Sequence, residues 1–244
     1  MKKGASFRVI HTNHQSAKLN MAIDKALAMS FQKEDKPILR FYTWENSFTV
    51  GVSQNTQTYE KTYANFNGNC AKRMTGGGVL FHGHDISYSL VVPSSYLKEL
   101  SVKQSYEKIC SFLLDFYKNL NLKASFAKDV KEIALSKSNF CQVGYEAYDI
   151  IINGIKIGGN AQKRTKNMIF QHGSIPLFSI EQKEEFGHSL EDIGVKLSFE
   201  DAIQKLTSSF QETFDVQLEN SKLNEKEEEY LKKLLKESND STYN

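Results

Sequence analysis

The spacing of apolar side chains divides the chain into alternating helical and extended stretches. Ser16 stands where a helix cap belongs. After it Leu19, Ile23, Ala26, Leu27 and Phe31 recur at helical spacing, and Pro37 closes the region. Residues 38–43 (ILRFYT) and 47–52 (SFTVGV) read as two strands around a turn at Glu45-Asn46. Residues 79–81 and 86–92 read as another strand pair. In the second of these, Ile86, Tyr88, Leu90 and Val92 share a face, with Ser87 and Ser89 opposite. Between 101 and 120, Val102, Tyr106, Ile109, Leu113, Phe116 and Leu120 form a core-packing helical stripe that includes Cys110. Residues 147–152 and 155–158 make a hairpin with Asn153-Gly154 as its two-residue turn, and 168–172 is a further strand. Ser198 caps a helix that runs to Phe214 with Ile203, Leu206 and Phe210 inward. A charged amphipathic helix follows at 224–237, with Glu228/Lys232 and Glu229/Lys233 spaced four apart on a solvated face.

Strands precede, interleave with and follow helices, and the hairpin is antiparallel. The fold class expected is therefore α+β, a mixed β-sheet flanked by helices. There is no internal repeat and no linker. The economical division is one catalytic domain over residues 1–218 and a charged helical tail over 219–244.

Composition narrows the function. The 244 residues are 40% apolar and 25% charged, usage that supports one sizeable core. Thirty-one Lys and Arg against 29 Asp and Glu leave a net charge of +2, so no nucleic-acid partner is expected. No apolar run approaches the roughly 20 residues of a membrane span. The basic start, Met1 to Arg8, has no apolar signal core behind it, so no membrane partner and a cytoplasmic location are expected. Cys70, Cys110 and Cys141 form neither a CxxC nor a metal-ligand spacing, which suits a reducing compartment and argues against a metal site.

Three segments carry candidate chemistry. In the first, Lys72-Arg73-Met74-Thr75-Gly76-Gly77-Gly78-Val79-Leu80-Phe81-His82, three consecutive glycines cost backbone entropy and make sense where the backbone approaches a ligand. No Lys-Ser/Thr follows at the Walker offset, and no helix opens after the glycines. A tight loop without a ligand is the bland alternative. In the second, Asn153 to Arg164, Ile155 and Ile157 share one face and Lys156 takes the other, just before Gly158-Gly159. From Ile150 to Pro176 there are four basic residues and no acid, a balance that suits an anionic group or simply a basic surface loop. The third feature is Cys141, just before the hairpin and outside any helical stripe. Its thiolate would be a strong nucleophile if a nearby cation favoured it, although an isolated cysteine is more often inert. Cys70 and Cys110 read as structural.

Together KRMTGGGVLFH (72–82), NGIKIGGNAQKR (153–164) and QHGSIPL (171–177) resemble the lipoate/biotin protein ligase superfamily in its lipoate branch. NMAIDKAL (20–27) and RFYTWENSFTVGVSQ (40–54) extend the resemblance over roughly residues 8–218. It implies a core like that of the biotin ligases, and a medium-chain acyl group delivered to a lysine of a lipoyl carrier domain. Within the branch, ATP-dependent lipoate ligases form a lipoyl-adenylate, have no cysteine nucleophile before the hairpin and usually carry a C-terminal accessory domain. Octanoyltransferases of the LipM type run Cys, Tyr-Asp/Glu, an apolar strand, Gly, Lys, then Gly-Ser/Asn-Ala-Gln and Gln-His-Gly-Ser-Ile-Pro-Leu. Cys141, Tyr148-Asp149, Gly154, Lys156, Gly159-Asn160-Ala161-Gln162 and Gln171 to Leu177 match that order. Related amidotransferases place their cysteine at a shorter interval. One position departs: the LipM type commonly has Thr-Gly-Gly-Arg where this chain has Thr75-Gly76-Gly77-Gly78, as the ligases do.

The resemblance thus implies a ping-pong octanoyltransferase. Cys141 would be the nucleophile and Lys156 its catalytic partner. Arg73, Thr75, Gly76, Gly77, Gly78, His82, Gly158, Gly159, Asn160, Ala161 and His172 would bind substrate. Val79, Phe81 and Ile157 are candidates for the acyl slot. The donor would be octanoyl-acyl carrier protein. The acceptor would be a lipoyl-domain protein such as the glycine-cleavage H protein or a 2-oxoacid dehydrogenase E2. No cofactor is implied; ATP and Mg belong only to the ligase alternative.

Overall fold

Residues 1, 3–54, 64–136, 140, 141, 143–181 and 183–240 are described by a computed structural model of the chain. Local signals set the helices. Ser16 Oγ accepts the Leu19 N–H to open α1 (Ala17–Ser30), a Ser101/Gln104 capping box opens α2 (Val102–Asn119), and Ser198 opens α3 (Phe199–Phe214). The α2 stripe is buried at Ile109, Leu113 and Phe116, whereas Val102, at the exposed first turn, faces solvent.

Six strands form the central sheet. They are β1 (Ser6–Gln15), β2 (Ile38–Trp44), β6 (Asp85–Pro93), β10 (Gly159–Arg164), β11 (Met168–Pro176) and β12 (Gln217–Asn220). Their order is β10-β11-β6-β2-β1-β12. The β12-β1-β2 side is parallel and the β2-β6-β11-β10 side antiparallel, so the sheet is mixed as expected. Two three-stranded sheets flank it. One joins β3 (Ser47–Val50), β4 (Cys70–Lys72) and β5 (Leu80–His82) in the order β4-β3-β5. The other joins β7 (Ala124–Phe126), β8 (Ile150–Ile152) and β9 (Ile155–Lys156).

The sheet separates two apolar layers. On one face Phe7, Val9, Leu39, Phe41, Ile86, Tyr88, Leu90 and Val92 pack on Ile109, Phe112 and Phe116 of α2 and on Leu206, Phe210 and Phe214 of α3. On the other, Ile10, Ile38, Val91 and Phe170 pack on Ile23, Leu27 and Ala28 of α1. The alternation read for 86–92 therefore holds, but Ser87 and Ser89 are buried too: Ser89 donates to Asp24 of α1, and Ser87 accepts from Trp44 and lines the candidate site.

Several expectations change in detail. The strands around Glu45-Asn46 do not pair with each other: β2 lies in the central sheet and β3 in a small one. The same is true of β5 and β6. Period-2 patterning identifies a strand and its buried face, not its partner. β1 and β10 escape the pattern, because β1 is polar beyond Ile10 and β10 is a run of small and polar residues. The Asn153-Gly154 turn is as read, with φ of 51° and 80°. The boundary expected after residue 218 falls inside β12. The helix beyond it, α4 (Glu225–Asp240), lies on α1. Its Glu227 is buried and bonded to Arg8, and Leu223 and Leu231 join the α1 layer.

Candidate active site

A cavity of about 640 Å³ opens where the central sheet, the β3-β4-β5 sheet and the β8-β9 hairpin meet. Arg73, Gly76, Gly77, Gly78, His82, Cys141, Lys156, Gly159, Asn160, Ala161 and His172 all line it, so segments far apart in the chain converge on one wall. Thr75 and Gly158 stand behind that wall. Thr75 Oγ1 lies 2.7 Å from His172 Nε2, and Gly158 packs so tightly that a Cβ there would overlap the Ser174 carbonyl. Val79, Phe81 and Ile157, expected in the acyl slot, are instead buried in the core. Met21, Trp44, Leu80, Tyr106, Phe140 and Tyr148 supply apolar surface to the cavity.

Cys141 is held by its backbone: its N–H donates to the Val79 carbonyl at 2.8 Å, extending the bridge between Val79 and Phe140. The sulfur, half-buried, meets the glycine loop. Gly77 has φ +104°, and a Cβ on it would lie 3.0 Å from both the Cys141 sulfur and Arg73 Nη2. A bare α-carbon is what lets these two groups approach.

The cation within hydrogen-bond reach of the sulfur is Arg73. Its Nη2 donates to Cys141 Sγ at 3.5 Å, to the Gly78 carbonyl at 2.7 Å and to the Gly76 carbonyl at 3.3 Å; Nη1 donates to Thr49 Oγ1 at 2.8 Å. Lys156 projects away from the Ile155/Ile157 face, as its strand position predicts. Its ammonium donates to the Cys141 carbonyl oxygen, to the Gly144 carbonyl and to Asp149 Oδ2, each at 2.6 Å. Three donors thus meet three oxygens, and the lysine holds the backbone of the cysteine loop. Burial pushes the Asp149 carboxyl above its ordinary range, against the opposing pull of Lys156.

Two buried carboxylates brace the histidines. Asp85 Oδ2 lies 3.0 Å from His82 Nδ1 and also accepts from Ser87 and Ser174. Burial alone would raise this carboxyl, but His82, His84 and the Ser174 hydroxyl bring it down to about 2. Trp44 stacks on His82 at 3.7 Å between ring centres. Asp24, paired with Arg40 at 2.7 Å, lies 3.7 Å from His172 Nδ1. Burial holds His172 below the ordinary imidazole range, with Asp24 pulling the other way. Burial pushes Cys110 up to about 12, which keeps that thiol inert.

Thr49, Asp85, Asp24, Asp149 and Trp44 escape a reading of site residues from sequence. Asp24, Trp44 and Thr49 fall in the segments 20–27 and 40–54 and Asp149 in the Tyr148-Asp149 pair, but nothing local there marks them as site residues. Among the described residues no group of His, Cys, Asp and Glu is arranged to hold a metal ion, and no helix is long and apolar enough to cross a membrane.

Comparison with known proteins gives the family and the fold. Octanoyltransferase LipM of Bacillus cereus is 34% identical over 184 residues, covering 69% of this chain and 64% of that protein. The chain therefore matches just under two-thirds of the length of that relative. Octanoyltransferase LipM of Kyrpidia tusciae is 30% identical, covering 94% of this chain and 95% of the other. A lipoate-protein ligase A bound with ATP superposes with a TM-score of 0.75 at 23% identity, covering 96% and 95% of the two chains. A bi-partite lipoate protein ligase from Thermoplasma acidophilum does so with 0.73 at 22%, covering 96% and 93%. At these identities the structural likeness speaks for the fold, a ligase-like mixed sheet flanked by helices. The family model for the lipoyl protein ligase A/B catalytic domain matches residues 16–224, and the chain belongs to that family.

Proposed function

We propose that the protein is an octanoyltransferase of protein lipoylation, moving an octanoyl group from acyl carrier protein to a lysine of a lipoyl domain through a thioester on Cys141. The observation that carries this reading is the sulfur itself. It lines the cavity beside an arginine and a glycine whose missing side chain gives it room. Both LipM relatives carry the same activity in their names.

In the first half-reaction the Cys141 thiolate attacks the carbonyl carbon of the octanoyl thioester. A new C–S bond forms, the bond to the carrier sulfur breaks, and the carrier leaves as a thiol after taking up a proton. In the second, the ε-amine of the target lysine attacks the acyl-enzyme carbonyl. The C–N bond forms, the bond to Cys141 breaks, and the amine proton returns to the departing sulfur or to solvent. Arg73 faces the sulfur, with Nη2 donating to it at 3.5 Å. Backbone N–H groups of Gly76 to Gly78 border the same wall, and one such donor on the tetrahedral oxyanion is worth roughly 3–4 kcal/mol. Burying the acyl chain contributes about 0.8 kcal/mol per CH₂ against Met21, Leu80 and the aromatic rings of the cavity. Lys156 keeps the nucleophile loop in place through carbonyl oxygens, and with Asp149 beside it forms a pair able to hand protons on. No cofactor enters this sequence. The Thermoplasma ligase is described with an E2 lipoyl domain, the class of acceptor proposed here.

One observation favours a second reading, an ATP-dependent lipoate ligase: Gly78 stands where the LipM type commonly has arginine. The two separate in one experiment. Incubation with octanoyl-acyl carrier protein without ATP is expected to add about 126 Da, one octanoyl group in place of a hydrogen, as an acyl-enzyme. The adduct is absent from Cys141→Ser. Modification of a lipoyl domain only by lipoate plus ATP, with no adduct on Cys141, would replace the transferase by the ligase.

A further inference from the structure

We propose that Thr49 is a positioning residue for the cysteine: its hydroxyl joins the buried Asp85–His82 pair to Arg73 and so fixes the guanidinium against the Cys141 sulfur. The proposal rests on the reading of Cys141 as the nucleophile and adds a residue to which the sequence reading gave no role.

The geometry is a continuous chain. Asp85 opens β6 and is anchored in the central sheet by Ser87 and Ser174 as well as His82. His82 ends β5, is held flat under Trp44 (interplanar angle 15°), and places Nε2 at 2.9 Å from Thr49 Oγ1. Thr49 sits fully buried in the middle of β3, the central strand of its sheet, paired to Leu80 and Ala71. Its Oγ1 accepts Arg73 Nη1 at 2.8 Å, and Nη2 of the same guanidinium reaches the sulfur. Proton accounting closes the chain. In the tautomer whose Nδ1–H donates to Asp85, Nε2 is an acceptor. The Thr49 hydroxyl donates to it and keeps its lone pairs for Arg73. A planar guanidinium held at both ends has one orientation. Without the Thr49 oxygen it pivots on the Gly76 and Gly78 carbonyls, and its contact with the sulfur is no longer fixed.

The test reads the sulfur directly. Iodoacetamide is attacked by the thiolate, which forms a C–S bond as iodide leaves, and peptide mass mapping follows Cys141 in the whole protein. Thr49→Val keeps the shape and strand preference of the site but removes the hydroxyl. It is expected to slow alkylation of Cys141 about tenfold with the melting transition retained, in line with a weakened charge-assisted contact. Thr49→Ser restores the oxygen and is expected to bring the rate back to within about twofold of wild type. Arg73→Lys, whose single ammonium cannot span Thr49, the Gly78 carbonyl and the sulfur together, serves if Thr49→Val does not fold, and is expected to slow alkylation equally. Wild-type rates in folded Thr49→Val or in Arg73→Lys, or a serine variant as slow as the valine one, overturn the proposal. Since no acyl donor is present, the outcome is independent of octanoyl transfer. Failure of wild type to take up octanoate would refute the proposed reaction and leave the positioning role standing.

Discussion

Substituting Gly77 by alanine separates backbone strain from crowding at the proposed nucleophile. The glycine has φ +104°, where a side chain costs on the order of 1–2 kcal/mol. In a domain of this size that lowers Tm by roughly 2–8 °C. The added Cβ would also sit 3.0 Å from both the Cys141 sulfur and Arg73 Nη2, so these must give by a few tenths of an ångström. Misplacement by about 1 Å costs on the order of 10²-fold in rate, so this displacement is expected to slow acylation about four- to tenfold. Gly194→Ala is the matched control, because Gly194 has φ +86° with nothing within 4 Å of an added Cβ, far from the cavity. Acylation of Cys141 by octanoyl-acyl carrier protein, stopped at short times and read by intact mass, gives the rates, and thermal melts give the stabilities. Both variants should lose similar stability, and only Gly77→Ala should lose rate. Equal acylation rates in the two variants would refute the crowding argument.

Three further outcomes follow from the buried charges. Lys156→Met leaves Asp149 and the Cys141 and Gly144 carbonyls without their donor, and is expected to cost about 3–5 kcal/mol in chemical denaturation; an unchanged midpoint would show that the clasp bears no strain. Asp85 has its carboxyl brought from the ordinary 3.8 to about 2, so its contribution is fully present above pH 4 and disappears as pH falls toward 2. The stability advantage of wild type over Asp85→Asn should shrink by roughly 2 kcal/mol across that window in urea titrations, and a constant difference would contradict it. Glu227→Gln weakens the bond to Arg8 at the root of α4 and is expected to lower stability by about 1–3 kcal/mol, measured as a fall in Tm.

How much of this was legible in the chain follows from which signals are local. Ser16 and Ser198 announce their helices because a cap acts within three residues. Asn153-Gly154 announces its hairpin because few residues tolerate both left-handed angles. The glycine loop stood out because a glycine triplet costs backbone entropy, whereas Cys141 and Lys156, bland singly, became candidates only through their order in the family's motifs. Strand partners were not legible, since β2 and β3 show the same pattern but belong to different sheets. Nor were the residues that brace the site. Thr49 and Ser89 alternate with apolar neighbours as surface residues would, and only the covering helix and sheet turn those positions inward. Arg73 showed itself as a basic residue beside a loop, with nothing in the chain to say that it, rather than Lys156, reaches the sulfur.

The grip of Lys156 on carbonyl oxygens has an evolutionary consequence. A carbonyl is common to all twenty amino acids, so a substitution at position 144 can add a side chain without erasing either handle the ammonium holds. The backbone that carries Cys141 thus stays moored by a part of the polymer that mutation cannot remove.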